Sequence, residues 1–359
     1  MKFDSLVRPF AASLLLSALI AVPARADDAK PVDPAAPAVP AAPAVDPKAA
    51  PEKPQKDANP RDASITWSLI YKTKIPKPAE GTKRLEAWIP VPFEGDLQKV
   101  TDLKVETTAK YEITKDDVTG NRMVHVLVES PKSEDLQIDW SATVLRTQDT
   151  GQTSSPVRDA DKSGDKMAPI DGVAARLAKD LGVDDASAPV ATRARRIYDH
   201  VLASMVYDKE APGWGNGDLE RAVKIGKGNC SDFAAEFIAI ARASGIPARW
   251  TSSIALSTEH ATCSACGYHC YPRFFDGAHW IPVDPSDARR AVADDPKKAE
   301  WLFGHQPATS VVLSVGRDLT LVPKQQAGPV NFFGGPYVEV DGKPVKIPSE
   351  NRTYEFEIK

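Results

Sequence analysis

Apolar and polar residues alternate over the stretch beginning near residue 63. Ile65, Trp67, Leu69 and Tyr71 recur at every second position, the period of a strand with one buried face. The runs Leu85–Val91, Met123–Val128 and Leu136–Trp140 carry the same β-branched and aromatic character, with Gly120-Asn121 as the clearest turn between them. Short strands at this spacing predict an antiparallel β-sandwich over residues 63–148. Residues 149–170 are polar and rich in Gly, Ser and Asp, as a linker would be. The period then changes. Val173, Leu177 and Leu181, and again Ile197, Val201, Leu202 and Met205, recur at helical spacing. A further helix begins at Cys230, with Asn229 as its N-cap, Phe233, Phe237, Ile240 and Ala241 as its apolar stripe, and Gly245 and Pro247 as its stop. From Ala248 onward the pattern is strand-rich, with turns at Asp276-Gly277 and Asp341-Gly342. The fold class is therefore α+β. The core is expected over 171–290 and a β-rich C-terminal extension over 291–359.

The first 62 residues follow neither period. Lys2 and Arg8 precede an apolar segment from Phe10 to Val22, and Ala24-Arg25-Ala26 is a small-x-small cleavage pattern. Residues 1–26 read as a secretory signal, which places the mature protein in the periplasm or outside the cell. Nine prolines fall between positions 31 and 60. With almost no large apolar side chain, residues 27–62 cannot offset the entropy of ordering, so they read as a semi-extended linker. No apolar run reaches the roughly 20 residues of a membrane span. The net charge of −4 over 359 residues offers no basic field for phosphates and argues against a nucleic-acid partner. Four cysteines are too few for a disulfide-stapled scaffold.

One of those cysteines is placed where thiols react. Cys230 falls in the first turn of its helix, where unpaired N–H groups and the positive dipole end favour thiolate. The same N–H groups can receive an oxyanion. Asp232 works partly against the thiolate. A buried, inert cysteine is the competing reading of Cys230. A nucleophilic cysteine needs a histidine, and the histidine needs an orienting group. If Asp276 and Gly277 form a two-residue hairpin loop, Phe275 faces Ala278 and His269 faces Asp284 on one side of the sheet. His279 would then face Phe274 on the other side. Pro282, which cannot donate to its partner strand, could shift that register.

These residues resemble the transglutaminase-like superfamily, part of the wider papain-like cysteine hydrolase group. The matching pieces are Gly228-Asn229-Cys230-Ser231-Asp232-Phe233, Ala241–Arg249, Tyr268-His269-Cys270 and Trp280–Asp284. The resemblance is strong over about 190–290 and looser over the flanks, which look like those of secreted bacterial members with an N-terminal β-domain. It implies a helix bearing Cys230 packed on an antiparallel sheet bearing His269 and Asp284. It also implies that Cys230 is the nucleophile, His269 the general base and acid, and Asp284 the orienter. The implied reaction is acyl transfer from an amide through a thioester to water or an amine, on a peptide or protein substrate, cell-envelope peptides included. No cofactor and no metal are implied. Pro272-Arg273 depart from the small and acidic residues frequent there in the family. The oxyanion side chain is not marked, and Trp214 and Tyr207 are candidates. The alternative is a catalytically inactive, protein-binding member of the same fold.

The other cysteines form one cluster, His260-x2-Cys263-x2-Cys266-x3-Cys270. A Cys263–Cys266 disulfide is the reading an oxidising compartment favours. Zinc and free thiols stay open. Cys270 alternates away from His269 and reads as core.

Overall fold

The structure is a computed structural model that describes residues 64–257, 262–264 and 267–359. The signal segment 1–26, the linker 27–62 and Cys266 lie outside the described residues, as does the side chain of Cys263, so the expected disulfide does too.

Six strands open the chain: β1 (Ser64–Ile75), β2 (Arg84–Pro90), β3 (Gln98–Thr107), β4 (Tyr111–Lys115), β5 (Arg122–Glu129) and β6 (Leu136–Thr147). The alternation in β1 is reproduced in its burial, with Ile65, Trp67, Leu69 and Tyr71 all inside. The helical part of the chain follows with α1 (Val173–Asp180), α2 (Val190–Ser204), β7 (Val206–Tyr207), α3 (Leu219–Ile225), β8 (Lys227–Gly228) and α4 (Cys230–Ala243). Next come β9 (Ala248–Ala255), β10 (Thr262–Ser264), β11 (Tyr268–Phe275), β12 (Trp280–Pro282), α5 (Pro285–Ala291), α6 (Pro296–Trp301) and β13 (Ser310–Val315). The chain ends with β14 (Tyr337–Val340), β15 (Lys343–Val345) and β16 (Arg352–Ile358).

The C-terminal strands close back on the N-terminal ones. One five-stranded sheet runs β10-β16-β1-β6-β3 and the other β15-β14-β2-β5-β4. Their shared core is aromatic: Tyr71 and Tyr354, directly paired across β1 and β16, stack at 4.3 Å, and Trp140 packs beside them. Each such buried aromatic contributes about 1.5–3 kcal/mol of transfer free energy.

The third sheet, β12-β11-β9-β13, carries α4 on one face. Thirteen of the fourteen residues of α4, Cys230 through Arg242, are buried. This helix is therefore enclosed all round rather than docked by a single stripe. Helices α1, α2, α3 and α5 surround it.

Residues 149–170 do more than connect. Thr153 bridges to Trp280 and Asp149 to Gln306, and Asp161 is buried against Arg158 and Arg249. The polar composition that reads as a linker supplies ion pairs that pin this strap to the sheet.

The hairpin register differs from the expected one. Phe275 pairs with Trp280 and Arg273 with Pro282, so the loop has four residues, Asp276 to His279, and the pairing is displaced by two. The Asp276 carboxylate accepts from the Ala278 and His279 N–H groups, which stabilises the longer turn. The displacement also accommodates Pro282. Asp276 N–H donates to His279 O, and Val283 N–H to Pro272 O. Alternation between those pairs leaves Pro282 at a non-hydrogen-bonded position on an edge strand. His279 is therefore not a strand residue; it sits exposed in the loop. Because the displacement is an even number, facing is unchanged. Asp284 becomes the diagonal rather than the direct neighbour of His269.

Candidate active site

Glycine, amide and carboxylate together build the start of α4. Asn229 caps it, its side chain accepting from the Ser231 N–H at 2.9 Å. Asp232 reaches back to accept from the Asn229 N–H at 2.9 Å, completing a reciprocal cap. The Asp232 carboxylate also accepts from Gly215 N–H at 2.8 Å and lies 3.6 Å from Arg221. Gly228 is required by this closeness, because a Cβ there would lie 2.6 Å from the Asp232 Cβ. The Gly-Asn-Cys-Ser-Asp run is thus a device that fixes Cys230 at the first position of a buried helix.

The structure brings Cys230, His269 and Asp284 together. They are 3%, 8% and 1% exposed. His269 Nε2 lies 2.6 Å from Asp284 Oδ2, leaving Nδ1 for the Cys230 side, and Cys230 and His269 interact directly. Asp284 is itself held on every side. Gln306 Nε2 donates to Oδ2 at 3.1 Å, and the Ser286 hydroxyl and Asp287 N–H donate to Oδ1 at 3.0 Å each. Asp284 is the N-cap of α5, followed by Pro285 at the first helical position. The Asp-Pro-Ser-Asp run carries that helix-start signal in the sequence. Gln306, more than twenty residues on, has no local signal.

The electrostatics follow from these contacts. Burial penalises charge on Asp284, but His269 and the donated hydrogen bonds outweigh it and hold the carboxyl below its ordinary value. Burial likewise disfavours an imidazolium at His269, yet Asp284 and then Asp287 raise it well above the usual histidine range. Asp287 Oδ1 lies 3.9 Å from Nε2. A hydrogen bond from Cys270, opposed by burial and assisted by His269, lowers the Cys230 thiol to about 5. The resting pair is therefore a thiolate and an imidazolium at neutral pH.

Cys270 does face away from His269, into the core around α4, and it is buried. Its neighbours there are Cys230 and the Ser231 hydroxyl, at 3.7 Å from the latter. A thiol that reads as core in the sequence is thus also a donor to the candidate nucleophile. Of the two oxyanion candidates, Tyr207 is half-buried beside the site. Burial, and then the Cys230 charge, push its phenol up. Trp214 is exposed on the loop between β7 and α3. The ligand atoms of His269, Asp284 and Asp287 lie within 4.8 Å of one another, but the His269 and Asp284 atoms are spent on their mutual hydrogen bond.

Residues 175–285 match the family model of the transglutaminase-like superfamily. The segment is a transglutaminase-like domain. It spans α1 through Asp284 and so contains every residue of the site except Asp287, Ser286 and Gln306. The crystal structure of a putative cysteine protease from Cytophaga hutchinsonii superposes with a TM-score of 0.51 at 16% identity, covering 82% of this chain and 98% of that one. At that identity the likeness concerns the fold, and it extends beyond the transglutaminase-like domain to the flanking sheets. An uncharacterized protein of Haemophilus influenzae is 28% identical over 336 residues, 80% of this chain and 88% of its own length. Among the described residues, no helix is long and apolar enough to cross a membrane.

Proposed function

We propose that the transglutaminase-like domain is an exported, cysteine-dependent amide hydrolase or acyltransferase acting on peptide or protein substrates. The observation that carries this reading is the buried grouping of Cys230, His269 and Asp284 at the start of α4, with His269 held at 2.6 Å by a fully hydrogen-bonded carboxylate. Cys230 attacks the amide carbon as a thiolate. His269 protonates the leaving amine, and the thioester then passes its acyl group to water or to an incoming amine, from which His269 takes the proton. Asp284 keeps the imidazole oriented throughout. Asn229 engages the Ser231, Asp232 and Phe233 N–H groups, so the Cys230 N–H is the first-turn donor it leaves for the oxyanion. The Tyr207 hydroxyl, a phenol kept protonated, is the side chain beside it. Hydrolysis is the favoured outcome because water is always present and no amine-binding group marks the site.

The name of the Cytophaga hutchinsonii protein agrees with a peptide substrate, and the signal-like residues 1–26 agree with export to the periplasm or beyond. The test is covalent. A peptide-based thiol-reactive substrate mimic should label the protein once, at Cys230, by peptide mass mapping. A screen of peptides, cell-wall peptides and amine acceptors should then yield turnover that Cys230→Ala abolishes. Labelling at Cys230 that also proceeds at full rate in His269→Ala would overturn the catalytic reading in favour of an inactive binding module.

A further inference from the structure

The sheet that carries α4 has a second face, and that face is cationic. On β11, Cys270 and Phe274 join the helical core, so His269, Tyr271 and Arg273 point the other way. Arg273 pairs directly with Arg249 of β9, and Tyr271 with Thr251. Like charges opposed across a sheet repel unless something neutralises them. Above them lies a cavity of about 460 Å³ whose wall includes Arg146, Arg158, Arg249, Arg273 and Thr251. Neither Cys230, His269 nor Asp284 lines it.

The wall carries more positive than negative charge. Arg273 is paired with Asp149, and Asp161 serves both Arg158 and Arg249. Arg146 has no carboxylate partner among the described residues, although it is 1% exposed. Its Nε donates to Ser310 O at 2.8 Å and Nη1 to Leu97 O at 3.2 Å. Its Nη2 meets no acceptor in good hydrogen-bonding geometry; the Tyr271 hydroxyl beside it interacts with the guanidinium but carries no neutralising charge at neutral pH. The four guanidinium groups thus share only two ion-pair partners, Asp149 and Asp161, neither of which lines the cavity itself. The acids that do line the cavity, Glu94, Asp96 and Asp117, are exposed, and Glu94 is engaged by Arg122.

The unmet donors converge. Arg146 Nη2, Arg249 Nε, Arg273 Nε and Thr251 Oγ1 are all buried without an acceptor, and all belong to this one wall. A buried cation without a counter-charge is costly, as is each unpaired donor. Water could accept the hydrogen bonds but would not neutralise the charge. An oxyanion does both, and planar guanidinium groups suit it in particular. The geometry points to an anion-binding site here, taking a small ligand with a carboxylate or phosphate head, its apolar part against Phe93, Val312 and Val315. The site is separate from the thiol site: it lies on the face of the sheet to which His269 also points, but none of Cys230, His269 and Asp284 lines it.

Calorimetric titration of the full chain with inorganic phosphate, and separately with succinate, at matched ionic strength tests this. Saturable one-to-one binding of either is expected, with a rise in melting temperature that chloride does not produce. Arg146→Gln should weaken that binding about tenfold or more, the loss of one charge-assisted contact. That variant removes an unpaired buried charge, so its melting temperature in chloride should equal or exceed wild type, which shows that it folds. Thr251→Val, neutral in charge, should weaken binding by a smaller factor. Binding of phosphate alone assigns a phosphate head, and binding of succinate alone a carboxylate. Absence of saturable binding by both, or binding unchanged in folded Arg146→Gln, would overturn the site.

Discussion

At the scale of single residues, the candidate site is a set of ionisation states held by specific neighbours. His269 owes its orientation to Asp284, and an oriented base or acid is typically worth about 10² to 10⁴ in rate. His269→Ala should lose that much in single-turnover acylation of Cys230, and Asp284→Ala as much or less. His279→Ala should stay within a few-fold of wild type, because that side chain sits exposed in the hairpin loop. Cys270 gives a prediction that the family pattern does not. Its hydrogen bond stabilises the charged form of Cys230, so removing it must raise the Cys230 pKa. Alkylation of wild-type Cys230 by iodoacetamide should persist from neutral pH down toward about 5 and fall below it. In Cys270→Ala the midpoint should move to higher pH. An unmoved midpoint would mean that Cys270 is only packing.

Elements position these residues through caps and turns. The reciprocal Asn229–Asp232 cap holds the start of α4, so Asn229→Ala should cost about 1 kcal/mol. Gly228→Ala should cost more, about 1–3 kcal/mol, because its Cβ would overlap Asp232. Both are read as a lower urea midpoint with an unchanged slope. Helix α4 and its cap were legible in the residues because capping and helix termination are local chemistry. The hairpin was legible only in part. An Asp-Gly pair signals a turn, but the loop length depended on where Pro282 could sit without losing a bond and on the Asp276 carboxylate gathering two N–H groups. Facing survived the two-residue displacement, and with it the meeting of His269 and Asp284.

On the scale of the whole molecule, the C-terminal strands belong to sheets that begin near residue 64. Strand β16 pairs with β1, and β14 with β2. Removing residues 337–359 should therefore expose the apolar faces of both sheets rather than trim a tail. The expected outcome is loss of a cooperative melting transition, together with binding of an apolar dye. A truncated chain that melted like the full one would show the extension to be dispensable. The arginine-lined cavity also exists only at this scale. Arg146, Arg158, Arg249 and Arg273 come from β6, the 149–170 strap, β9 and β11, and no spacing in the sequence groups them.

What the sequence determined by itself is whatever neighbouring residues decide between them. The strand and helix periods, the Asn229 cap and the placement of Cys230 in the first turn of α4 are of this kind. So is the side of the sheet that His269 shares with Asp284. Only the tertiary structure decided what depends on chain segments meeting from afar. It set the four-residue loop, Gln306 on Asp284, the Cys270 thiol against Cys230, and the pinning of the polar strap by Arg249 and Arg273. It also returned β14 and β16 to the first sheets. The physical reason is the same throughout. Periodicity and capping act within a few residues, whereas hydrogen bonds and ion pairs between distant segments form only where the packed core brings those segments together.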